Sequence, residues 1–131
     1  MIARLKKALG ADSVRTGAEI PKRNWVDASG ANPVCPMALI LPRTTEEVAI
    51  ALVLASEHGQ SIVPQGGMTG LVAGATPCEG ELAISLERMT GVEEIDTVSG
   101  TITALAGTPL QVVQEAAEEA GFMLGIDLGA R

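Results

Sequence analysis

The sequence predicts an α/β fold in two parts: a small parallel βαβ subdomain followed by the start of an antiparallel α+β subdomain. Three observations predict it. A capped helical run from Thr44 to about His58 lies between two short apolar runs, Met37–Leu41 and Ser61–Pro64. Strand, helix and strand within about thirty residues imply a parallel pair and a right-handed crossover. After Gly91 the pattern changes to Val92–Asp96 and Thr101–Ala106 separated by "TVSG", which reads as an antiparallel hairpin. Nearly half of the 131 residues are apolar, enough for a real core. With Trp25 and Phe122 the only aromatics, that core is aliphatic.

Each element has its own signal. Ile2, Leu5 and Leu9 recur at helical spacing with Gly10 as a stop, so residues 2–9 read as a short amphipathic helix. Residues 11–36 carry Pro21, Gly30, Pro33 and Pro36 with little periodicity; they read as a long surface segment anchored by Trp25. Pro42 ends the strand Met37–Leu41. In "TTEEVAIALVLASEHG", Thr44 and Glu47 form a capping-box pair, Glu46 and Glu47 suit the helix dipole, and Gly59 is the C-terminal cap. Apolar residues cover most of this helix, which predicts burial on more than one side. Ser61–Pro64 and Leu82–Leu86 are the next strands, with a glycine-rich segment between them.

In the second part, Gly100 suits a positive φ at the hairpin turn. Thr108 opens another helix, with Pro109 in its first position, Gln111 completing a second capping box and Gly121 closing it. Phe122–Leu124 reads as the beginning of a further strand. The expected division is an N-terminal helix and extended segment (1–36), a first subdomain (37–91) and the start of a second (92–131).

Charge and composition exclude several functions. A formal net charge of −7 argues against nucleic acid or an anionic membrane as partner, and two aromatics are too few for a surface on which bases would stack. Cys35, Cys78 and the single His58 provide too few soft ligands, without metal-site spacing, so no metal centre is expected. The two cysteines read as buried small residues, and with no signal sequence they suggest a reducing cytoplasm. The longest apolar run, Val48–Ala55, is too short to span a bilayer. His58 reads as a helix-end residue facing the dipole. Glu118 and Glu119 are adjacent on a helix and point different ways. No catalytic residue is expected in this chain.

The chemistry rests on Ser61–Pro77, "SIVPQGGMTGLVAGATP". Ligands of open parallel sheets bind beyond the carboxyl ends of strands, and this segment leaves such an end. Gly66, Gly67, Gly70 and Gly74 let backbone amides turn outward and approach a ligand with no Cβ in the way. Thr69 and Thr76 add hydroxyls. A Walker loop is excluded, because no lysine follows Lys22; the dinucleotide fingerprint is excluded, because only Gly67 and Gly70 have the right spacing. On glycine count alone, a tight connector and a phosphate loop fit equally well.

The wider string favours the phosphate loop. "PRTTEEVAIALVLASEHGQSIVPQGGMTGLVAGATP" resembles the opening of the FAD-binding (PCMH-type) domain of vanillyl-alcohol-oxidase-type flavoproteins. "VSGTITALAGTPLQVVQEAAEEAGFMLGIDLGAR" is similar to the D-2-hydroxyglutarate and D-lactate dehydrogenase branch of that family. The resemblance runs from about Trp25 to Arg131. It implies that Pro64, Gln65, Gly66, Gly67, Met68, Thr69, Gly70 and Leu71 form the loop holding the FAD pyrophosphate, with Gly74 in its supporting turn. It places Asp127–Arg131, with Asp127 and Leu128, near the flavin end.

Two residues depart from the family pattern: Met68 stands where a polar residue, commonly Asn, is usual, and Ala73 where a second glycine often precedes Gly74. The resemblance further implies oxidation of a small-molecule 2-hydroxy acid by hydride transfer to FAD, with electrons passing to a separate acceptor. In relatives a second glycine-rich FAD segment follows, and then a substrate domain with the catalytic histidine and metal ligands. This chain is therefore expected to supply cofactor binding alone. An unpaired sheet edge in its second part predicts self-association. The alternative is a free-standing α/β interaction module that no longer binds flavin.

Overall fold

The computed structural model describes residues 1–129, in two compact units, Met1–Arg88 and Met89–Arg131. The first unit opens with helix α1 (Ile2–Leu9), which buries Leu5 and Leu9 and ends at Gly10, φ +90°. The next stretch is less superficial than its composition suggests. Three short 3₁₀ turns carry it, and Val14–Arg15 forms a strand, β1, antiparallel to β2 (Ala38–Ile40). Val14 and Ile20 are buried, and Trp25 packs beside Leu39, Leu41 and Val63 as an anchor should. A two-residue strand has no period to read, which is why the sequence hides it.

Helix α2 (Thr45–Glu57) starts where its cap predicts: the Glu47 amide donates to Thr44 Oγ1 at 3.3 Å. The reciprocal arm differs from a standard capping box. The Glu47 carboxylate accepts from the Arg43 amide (2.7 Å), one residue upstream of Thr44. Gly59 follows at φ +59°. Burial on more than one side does not hold. Ala51, Leu54 and Ala55 face the core, whereas Ile50, Leu52 and Val53 are 41%, 48% and 57% exposed.

Strands β3 (Ile62–Gln65) and β4 (Leu82–Ser85) complete a sheet of order β1-β2-β4-β3. β2 and β3 run parallel, as a βαβ unit requires, but they do not pair with each other. β4 lies between them, parallel to both, matching Leu82 to Ala38 on one side and to Ile62 on the other. Every residue of β4 is buried, the signature of a strand covered on both faces. Alternation along β2 divides the core. Ala38 and Ile40 join Leu5, Leu54 and Ala55 on the helix side, while Leu39 and Leu41 join Ile20 and Ala83 on the other. The cysteines differ from expectation: Cys35 is half-buried and Cys78 exposed, both as free thiols.

In the second unit, β5 (Val92–Asp96) and β6 (Thr101–Ala104) form the antiparallel hairpin, with an irregularity between Val92 and Glu94. Gly100 takes φ +67°, and the Asp96 carboxylate closes the turn on the Val98 and Ser99 amides. β6 stops at Ala104 because Ala106 and Gly107 turn toward helix α3 (Leu110–Glu119). The second capping box does not form. Thr108 Oγ1 lies 2.6 Å from the Leu105 carbonyl and accepts from the Gly91 amide, and Gln111 reaches Glu115. Pro109 is therefore the N-cap in place of Thr108, and the helix starts one residue later than predicted; Gly121 follows it at φ +81°. Phe122–Leu124 is irregular, not a strand. Among the described residues of this unit, Met89 and Ala117 are the buried apolar ones, so its core is thin.

One ion pair joins the first 3₁₀ turn to the start of α2. Arg43 bonds Asp12 Oδ2 at 2.6 Å and Ser13 Oγ at 3.0 Å. Arg43, chiefly through this hydrogen bond, holds the Asp12 carboxyl below its usual 3.8. A depressed carboxylate contributes stability above its unfolded value and loses it as pH falls through the folded one. Asp12→Asn is expected to lower the melting temperature near neutral pH, and the difference is expected to close as pH falls through the folded-state value and the carboxyl protonates. Thermal melts followed by circular dichroism check this; a gap that persists in acid would contradict it.

Candidate functional site

The glycine-rich loop leaves the carboxyl end of β3, an edge strand. An edge position tolerates Pro64, whose missing N–H faces away from the ladder. The next residue, Gln65, is fully buried. Its Oε1 accepts from Asn24 Nδ2 (3.0 Å), and its Nε2 donates to the carbonyls of Asn24 (2.9 Å) and Ala75 (3.0 Å). Gln65 belongs to the expected loop, but its side chain is fully engaged inside the protein and pins the two ends of the loop together.

Beyond Gln65 the backbone is unlike a tight connector. Among the described residues, the amides of Gly66 to Val72 and of Gly74 donate to no protein acceptor. The glycines are not explained by turn geometry either: none of Gly66, Gly67, Gly70 and Gly74 has a φ in the left-handed region. A Cβ added at Gly66 or Gly74 meets nothing within 4 Å, and one at Gly67 meets only the Thr69 methyl at 3.7 Å. The fold therefore tolerates side chains at these three positions. What a side chain would occupy is the space in front of a row of unpaired amides, where an anion's oxygens fit.

The left-handed positions are Met68 (φ 58°) and Ala73 (φ 60°), the two that depart from the family pattern. Arg23, Asn24, Gly66, Gly67, Met68 and Glu87 line a small pocket under the first half of the loop. The Arg23–Glu87 pair (2.7 Å) bounds it, and Asn24 contributes a buried Oδ1 with no hydrogen-bond partner. Leu71 and Val72, at the tip, are 75% and 87% exposed. Thr76 Oγ1 accepts from the Asp27 amide at 3.1 Å. Thr69 is exposed.

Asn24 and Asp27 are site residues that the sequence reading missed. Asp27 is 3% exposed, and its Oδ1 accepts from the Ser29 hydroxyl (2.5 Å) and amide (3.1 Å). The Ser29 hydroxyl is the main reason its carboxyl lies below the usual range; burial opposes this, and the amides of Ser29, Ala75 and Ala73 add to it. The available signal was the Asp-x-Ser spacing of a side-chain turn, which says nothing of burial. Asp127 and Leu128 belong to the second unit, in an exposed irregular stretch after α3 whose Ile126 carbonyl accepts from Gln114 (2.8 Å). Ala130 and Arg131, the rest of the expected flavin-end segment, lie outside the described residues. His58 Nδ1 sits 2.7 Å from the Leu54 carbonyl at the end of α2, a helix-end role. No group of metal-ligating side chains occurs among the described residues.

A non-glycine residue in the left-handed region costs on the order of 1 kcal/mol. Ala73→Gly is therefore expected to raise the unfolding free energy by about that amount, and Ala73→Val to lower it below wild type. Urea denaturation measures both. A lower stability for Ala73→Gly would show that the strain is smaller than the entropy glycine adds to the unfolded chain.

A family model described as an FAD binding domain matches residues 36–131. D-2-hydroxyglutarate dehydrogenase of Xanthomonas citri pv. viticola is 38% identical over 109 residues, 83% of this chain and 22% of that protein. The mitochondrial D-2-hydroxyglutarate dehydrogenase of Bos taurus is 38% identical over 114 residues, 86% of this chain and 20% of the relative. The chain thus spans about a fifth of the length of these curated relatives. Among solved structures, an alkyldihydroxyacetonephosphate synthase superposes with a TM-score of 0.83 over 98% of this chain and 27% of its own, at 21% identity, a likeness of fold. The mixed parallel and antiparallel architecture, the loop beyond β3 and the match over residues 36–131 agree with the resemblance carried by Pro42–Pro77: the chain belongs to the FAD binding domain family.

Proposed function

We propose that this chain is the FAD-gripping portion of a flavin-dependent D-2-hydroxyacid dehydrogenase, acting on a small 2-hydroxy acid of the D-2-hydroxyglutarate or D-lactate type. The row of acceptor-free amides from Gly66 to Val72, at the carboxyl end of a parallel strand, carries the reading. These amides donate to the pyrophosphate oxygens. Gly66, Gly67 and Gly74 keep the approach clear, and Leu71 and Val72 offer apolar cover against water. Asp127 and Leu128 contact the flavin end, as in the family pattern. When bound, FAD supplies the hydride acceptor; the protein positions it. The substrate's base and the electron acceptor lie outside the residues described. The two free thiols favour a reducing compartment, which the cytoplasm and the mitochondrial matrix both provide.

A second reading, an interaction module without flavin, draws on the strain at Met68 and Ala73. Titration with FAD, followed by quenching of flavin fluorescence, separates the two. The expectation is weak, saturable binding that is lost on desalting, because water competes for phosphate oxygens at an open loop. Gly67→Val is expected to weaken binding at least tenfold, about 1.4 kcal/mol, by obstructing backbone approach. Absence of saturable quenching by wild type would favour the interaction module. No hydroxy-acid-dependent dye reduction is expected from this chain.

The thin core of the second unit and its two-stranded sheet with open edges favour self-association or fraying. Amide exchange is expected to be fast through residues 92–129 and slow in β2 and β4, with light scattering above the monomer mass at high concentration. A strict monomer with slow exchange in β5 and β6 would contradict this.

A further inference from the structure

The loop is braced by a short upstream segment, which bonds directly to Met68, one of its two strained residues. The Ala28 amide donates to the Met68 carbonyl at 2.9 Å, turning that carbonyl inward, and Met68 is left-handed. The amides of Ala73, the other left-handed residue, and of Ala75 add to what keeps the Asp27 carboxyl below its usual range. The Asp27 amide in turn donates to Thr76 Oγ1.

Asp27 itself is unusual. It is almost wholly buried, and no cation pairs with it among the described residues. A buried carboxylate without a counter-ion is expensive unless fixed donors surround it. Ser29 satisfies Oδ1, whereas Oδ2 makes no hydrogen bond and lies 3.3 Å from where a Cβ on Gly70 would stand. A turn-closing aspartate on a surface loop needs none of this burial.

We propose that Asp27 is the positioning residue of the pyrophosphate loop. Its buried carboxylate lies beneath Gly70 and its amide holds Thr76, so that the arc between them keeps Ala73 left-handed and the amides from Gly66 onward face outward for the diphosphate of FAD. Gly70 is glycine because Asp27 occupies the space beneath it. The proposal rests on reading this loop as the FAD site.

The test uses Asp27→Asn, Ala73→Gly and the double variant, with ¹⁵N relaxation of the residue 66–76 amides, FAD affinity by fluorescence quenching, and thermal midpoints. Asp27→Asn removes the charge and can place an amide group beneath Gly70, where Oδ2 now lies. It is expected to mobilise the loop amides and weaken FAD binding roughly tenfold, while β2 and β4 stay rigid. In the Ala73→Gly background the same substitution is expected to mobilise the loop less, because glycine needs no brace to stay left-handed. That coupling is not expected of a residue that only supports the fold. Unchanged loop order, loosening spread through the whole first unit, or strictly additive effects would overturn the proposal. Should Asp27→Asn not fold, Gly70→Ala asks the same question by crowding Oδ2 from the loop side; loop order equal to wild type would then overturn it. Failure of wild type to bind FAD would count against the FAD reading alone, since loop order is measured without cofactor.

Discussion

The Gln65 amide, buried at the last residue of β3, closes three hydrogen bonds: two to Asn24 and one to the Ala75 carbonyl. It joins the end of a strand, the upstream segment and the far side of the loop. Leaving one buried partner unsatisfied costs about 1–3 kcal/mol, so the group holds together or fails together. With Gln65 in place, Gly66 starts from a fixed position and direction. Without it, the loop would be a flexible tether whose amides face every way. The polar cluster is small, but the geometry of the amide row depends on it.

That row is the inverse of ordinary secondary structure, where most backbone donors find acceptors nearby. Here consecutive donors stay open to water, and the loop instead makes inward contacts through the Met68 carbonyl and the amides near Asp27. Strain at Met68 is offset by the bond its carbonyl accepts from the Ala28 amide. Of the two residues that look most out of place by family pattern, Met68 is held directly by the upstream segment, through the Ala28 amide.

Much of the scaffold is legible in the sequence. α1, α2, β3, β4 and the hairpin show their periodicity or their caps, and Gly10, Gly59, Gly100 and Gly121 all take the positive φ their positions suggest. Three features are not legible, for physical reasons. Val14–Arg15 is too short to show alternation. The order β2-β4-β3 depends on which strand enters the middle, and no local pattern encodes that. Thr108 has the right spacing for a capping box, but the Gly91 backbone and the Leu105 carbonyl engage its hydroxyl first. The site divides in the same way. The loop is visible as a run of glycines, whereas Asn24 and Asp27 meet it across forty or so residues of chain, where only tertiary structure brings them together.

The central place of β4 bears on how the sheet assembles. β2 and β3 are made first, yet among the described residues each finds its parallel neighbour in the strand that follows them both. Two strands must therefore dock on the last of the three to appear, an arrangement of non-local contacts that slows folding. The connection that delivers β4 is the glycine-rich segment itself, from Gly66 to Glu81. Adjacent parallel strands need a crossover of about a dozen residues or more, usually a helix. Here the ligand-facing loop is the crossover, so its length answers to chain topology as well as to any molecule it holds. A deletion that spared every FAD-facing amide would still strain the route by which β4 enters the sheet.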